Sequence, residues 1–85
     1  MNKFEERINN TSVDSFAGLN ATLGHIPGLQ SIPFDSGVVT VLATLFETAQ
    51  SVNLRAVSRP KGYDIQAILG PHHLKIASVP FTSLN

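Results

Sequence analysis

Leu54-Arg55-Ala56-Val57-Ser58-Arg59, Tyr63-Asp64-Ile65-Gln66-Ala67-Ile68-Leu69 and Leu74-Lys75-Ile76-Ala77-Ser78-Val79-Pro80-Phe81 are three short runs, parted by Pro60-Lys61-Gly62 and Gly70-Pro71-His72. In the second run Tyr63, Ile65, Ala67 and Leu69 alternate with Asp64, Gln66 and Ile68, the period of two expected of a strand with one covered face. In the third, Leu74, Ile76 and Ser78 alternate with Lys75, Ala77 and Val79. Separators this short join neighbouring strands, so the runs predict an antiparallel three-stranded meander. Pro60 and Pro80 fit strand ends, where no ladder donor is lost.

Upstream of this block the pattern changes. Residues 3–9 predict one or two helical turns with Phe4 and Ile8 on one face, and Asn9-Asn10-Thr11-Ser12 breaks them. Asp14 is a cap for a helix over about 14–24, because Phe16, Leu19 and Leu23 recur at helical spacing. Gly24 is the expected left-handed residue after that helix, and Pro27 forbids its continuation. Gly18 within it suggests close packing on the sheet. Leu29 to Phe34 reads as a loop or a short extended piece, and Asp35-Ser36-Gly37 as a turn.

Val38 to Gln50 has two readings. Val38-Val39-Thr40-Val41 is β-branched and favours a strand. Leu42, Leu45, Phe46 and Ala49 draw a helical stripe, extended backwards by Val38 and Val41, with Asp35 or Ser36 as its cap. Residues 38–48 are thus a helix or an extra strand. The fold class is α+β: two layers, with N-terminal helices packed on a C-terminal three-stranded antiparallel meander. At 85 residues the chain makes one small domain, residues 1–85. The order of elements, on Gly37 to Gln50 and then Asp64 to Val79, resembles part of the roadblock and longin-like scaffold domains. That resemblance implies a scaffold subunit. The strand hairpin such scaffolds carry between their helices would fall within Leu29 to Asp35.

Composition narrows the function classes. The charged fraction is 14%, below the roughly 25% of ordinary soluble domains. A weakly charged surface has few ionic groups to desolvate on association. Residues 1–50 balance at −3 and residues 51–85 at +3, because Arg55, Arg59, Lys61 and Lys75 face Asp64 alone. There is no cysteine, which removes disulfides, thiolate nucleophiles and Cys-type zinc sites. With no signal-peptide pattern at the N-terminus and no apolar run of bilayer length, the expected location is cytoplasmic.

No residue pattern specifies catalysis. His72 and His73 are adjacent at a strand start and point to opposite faces, and His25 follows the first capped helix, so no metal site is expected. Asp14 and Asp35 are explained by capping and turn formation, and no pair of carboxylates is placed for acid–base work. No phosphate-cradling or nucleophile-elbow motif occurs. The expectation is a non-enzymatic chain without cofactor.

Arg55, Arg59, Lys61, Tyr63 and Lys75 lie on or beside the meander and are the candidate contact residues, for a partner or for nucleic acid. In the second case Tyr63 would stack a base while the cations hold phosphate. The leading expectation is a protein-binding module, an accessory subunit, adaptor or inhibitor that occupies a partner's surface, with another protein or a second copy as partner. Free sheet edges and the apolar segment 38–50 are its expected contact surfaces. The alternatives are a nucleic-acid binder using the basic C-terminal sheet and a roadblock/longin-like scaffold subunit.

Overall fold

The computed structural model describes residues 3–48 and 50–84, so Ala49 of the predicted helical stripe and Asn85 of the tail lie outside the described residues. Along the chain come α1 (Lys3–Asn9), β1 (Ser12–Val13), α2 (Phe16–Gly24), β2 (Gln30–Ser31), α3 (Ser36–Glu47), β3 (Val52–Arg59), β4 (Gly62–Leu69) and β5 (His72–Pro80), closed by a 3-10 turn over Phe81–Leu84. The class is α+β, and the predicted meander forms the centre of the sheet. The expected count of three strands is corrected: among the described residues the sheet has five, in the order β1-β3-β4-β5-β2. All neighbours are antiparallel. The two additions, β1 and β2, span 2 residues each. They interleave with the helices, so the N-terminal half is not purely helical. Each is too short to show a period in the sequence.

The two hairpins follow from their loops. Arg59 pairs with Gly62 and Leu69 with His72, leaving Pro60-Lys61 and Gly70-Pro71 as two-residue connections. Gly70 has φ 60°, a left-handed value that glycine adopts without strain at the first position of its loop. Gly62 is needed for a different reason. A Cβ there would run into the carbonyl oxygen of Val79 on the neighbouring strand.

One face of the sheet is covered. Val52, Leu54 and Ala56 of β3, Tyr63, Ile65 and Ala67 of β4, and Ile76, Ala77 and Val79 of β5 are buried with Phe4 and Ile8 of α1, Leu19 and Leu23 of α2, and Leu42 of α3. These residues belong to one contiguous core. The third run departs from the predicted alternation. Gln66 pairs with Lys75 and Ile65 with Ala77, so Ile76 is an extra residue, a β-bulge. Leu74 faces inward before the bulge, Ile76 and Ala77 both turn inward at it, and Val79 follows. Phe81, predicted as the strand's last residue, begins the 3-10 turn instead. Its ring meets Tyr63 edge-on at 5.1 Å. Leu84 also packs on the core.

Three local expectations are also corrected. The cap of α2 is Ser15 and not Asp14: Ser15 Oγ accepts the Gly18 N–H at 2.9 Å. Gly18 lies against that hydroxyl rather than against the sheet. Gly24 ends α2 without a left-handed φ; Gly28, in Pro27-Gly28, has φ 71° instead.

Candidate functional site

Residues 36–47 settle as a helix although half of them prefer a strand. Asp35 starts it, its Oδ1 accepting the Val38 N–H at 2.8 Å. Leu42 anchors it with no exposed surface, a burial worth about 1.5–3 kcal/mol. Phe46 meets Phe16 of α2 edge-on, ring centroids 5.1 Å apart. The threonines find local partners: Thr40 donates to Ser36 O at 2.9 Å, Thr44 to Thr40 O at 3.0 Å and Thr48 to Leu45 O at 3.0 Å. Thr40 and Thr44 are exposed, as the helical reading requires.

The outward side of α3 is unusual for a surface helix. Val39 is 39% exposed and Val41 46%, and Ala43 is exposed with them. Glu47 is the one charged residue between Ser36 and Glu47. Beside the helix runs an apolar groove of about 600 Å³. Val38, Val41 and Leu45 form its helix wall, and Val52, Leu69 and Leu74 its sheet wall. Asp35 and His72 stand at its rim. Val41 belongs to the groove's wall, whereas Val39, two positions away on the helix, lies on its other flank.

The opposite face of the sheet is open. On it Arg55 pairs with Gln66 and Gln66 with Lys75, so the register sets the two cations on either side of one amide. Both are exposed. Strand spacing puts their backbones about 10 Å apart. Arg59 lies on the same face, but its Nε is 3.0 Å from Asp64 Oδ2. Lys61 sits in the β3–β4 loop, exposed. Of the five predicted contact residues the structure therefore brings Arg55 and Lys75 together, engages Arg59 with Asp64, and leaves Lys61 at the sheet's end.

Tyr63 is separated from them. It projects from the helix-covered face, 5% exposed, with its ring 5.0 Å from that of Phe4 and edge-on to Phe81. A ring so enclosed offers no face for a base to stack on, so its predicted contact role is corrected to a packing one. The strand period carried the reason, since Tyr63 shares its phase with Ile65 and Ala67. His72 pairs with Leu69 and His73 with Ile68, which confirms that the two imidazoles leave opposite faces.

The surface that sequence reasoning located least well is the groove. Its helix wall was legible in the stripe Val38, Val41, Leu45. Its sheet wall comes from three separate strands, and no local pattern foretells that they meet α3 there. Among the described residues no helix is long and apolar enough to cross a membrane. Compared with known protein families, with curated proteins and with solved structures, the chain matches none.

Proposed function

We propose that this chain is a non-enzymatic protein-binding module that works by occupying a partner's surface, and that its contact element is α3 with the groove beside it. The observation that supports the reading most is the exposure of Val39 and Val41 on a helix whose sole charged residue is Glu47. Exposed apolar surface continuous with a groove marks an interaction site more often than a solvated one. Few charges means that little desolvation opposes burial of this face.

The occupant we propose is a second copy of the chain, α3 against α3. Two copies present no like charges to each other until Glu47, and their exposed side chains are short, so the helix axes can approach closely. The test is solution mass by light scattering across a concentration series, with and without added nucleic acid. A dimer that ignores nucleic acid, and that the pair Val39→Glu and Val41→Glu converts to monomer without loss of helical signal, supports the reading. A monomer at every concentration, or a mass that shifts only with nucleic acid, overturns it.

A further inference from the structure

A second concavity of about 600 Å³ lies where β1 meets the open face of the sheet, bordered by Asn9, Asn10, Ser12, Asn53 and Arg55, with Ile68 beside them. It lies on the face opposite to α3 and is independent of the reading above. Two of its carboxamides are held in a fixed sense. Asn9 Oδ1 accepts the Ala56 N–H at 2.9 Å, and Asn53 Oδ1 accepts the Ser12 hydroxyl at 2.6 Å. A carboxamide whose oxygen is engaged has its NH₂ end to offer, two donors and no acceptor. Arg55 follows Asn53 by two positions on the same strand face and adds a guanidinium. It has no ion-pair partner among the described residues.

The surroundings do not oppose an anion. No carboxylate lines the concavity among the described residues. The last carbonyls of α1, which carry negative partial charge, already accept hydrogen bonds: Glu6 O from Asn10 N–H at 3.2 Å, Ile8 O from Thr11 N–H at 3.0 Å, and Arg7 O from the Thr11 hydroxyl at 2.6 Å. Lys75 adds positive potential from across Gln66.

We propose that this concavity binds a phosphate group, its oxygens accepting from Asn9 Nδ2, Asn53 Nδ2 and the Arg55 guanidinium. A tetrahedral oxyanion takes donors from several directions at once, and charge-assisted bonds of this kind are the strong ones. A donor set with one cation and no carboxylate gives a cationic ligand nothing to pair with.

The test is heteronuclear NMR of the full chain, titrated with inorganic phosphate at fixed ionic strength. The side-chain signals of Asn9, Asn53 and Arg55 are expected to move together and saturate. Arg55→Gln should weaken binding about tenfold, the usual scale for one hydrogen bond to a charged group. Asn53→Asp keeps the acceptor for Ser12 but sets a negative charge against the ligand, and should abolish binding with the core signals unmoved. Absence of a saturating shift overturns the proposal. So do shifts at Arg59, Lys61 and Lys75 as large as those at Arg55, which mean diffuse charge only. A thymidine oligonucleotide in a parallel titration distinguishes the source. Binding that is tighter than that of free phosphate and falls steeply with salt assigns the phosphate to a nucleic-acid backbone. Equal affinity assigns it to a free phosphate or monoester.

Discussion

Asp14 and Ser15 are neighbours, and both residue types cap helices well. The sequence alone favours Asp14, yet Ser15 Oγ makes the bond, at 2.9 Å to the Gly18 N–H. The helix begins one residue later than the aspartate can serve, and Asp14 is left exposed. Ser15→Ala should therefore cost about 1 kcal/mol in urea unfolding, while Asp14→Ala should stay within about 0.5 kcal/mol. Gly62 offers a sharper contrast. The obstacle to a Cβ there is Val79 backbone, which cannot swing aside as a side chain would. Gly62→Ala is expected to cost roughly 1–3 kcal/mol, the scale of overpacking, read as a lower urea midpoint. Which glycine adopts a left-handed φ was less legible. Gly24 follows a helical stripe and Gly28 follows a proline, and the value falls at Gly28 because the chain turns there toward β2.

At the scale of elements, α3 shows local preference and tertiary context in conflict. Val38 to Val41 favours a strand, but the Asp35 cap and the Leu42 anchor both act on a helix. The stripe Leu42, Leu45, Phe46 was readable; its victory over four β-branched residues was not, because it depends on burial against residues far along the chain. The exposed threonines remain poor helix formers. Thr44→Ala should raise stability by about 0.5 kcal/mol, seen as a higher melting temperature. Thr44→Pro should lower it by roughly 3 kcal/mol or more. The bulge at Ile76 was hidden for a different reason. Ile76-Ala77 reads as one inward and one outward residue in any strict strand, and only the pairing with Ile65 and Gln66 reveals that both turn inward.

For the whole molecule, the register of the meander decides what the sequence could say about sites. Arg55 and Lys75 come from separate strands, and their juxtaposition follows once the short loops fix which residues face each other. The cation count alone did not separate them from Arg59. The Arg59 side chain is 54% exposed in its pair with Asp64, so solvent screens the attraction and the pair is worth no more than about 1 kcal/mol. Arg59→Ala should leave the melting temperature nearly unchanged. If α3 joins two copies, stability becomes linked to association. The melting temperature of the unaltered chain should then rise with protein concentration, and that of Val41→Glu should not.

The bond from Ala56 N–H to Asn9 Oδ1 reaches further than its length suggests. β1 begins at Ser12 and, running antiparallel, pairs only with Val52 and Asn53 of β3, so Thr11 O, accepting from the Leu54 N–H at 3.0 Å, and then the side chain of Asn9 continue the ladder along that margin. A carboxamide here stands in for the missing part of a strand. Sheet margins left bare recruit further strands and seed fibrils. Asn9→Ala should therefore shorten the lag before dye-detected amyloid forms under agitation, and cost about 1 kcal/mol in urea unfolding for the lost hydrogen bond. A single amide at the end of the first helix would then be what guards this margin of the sheet.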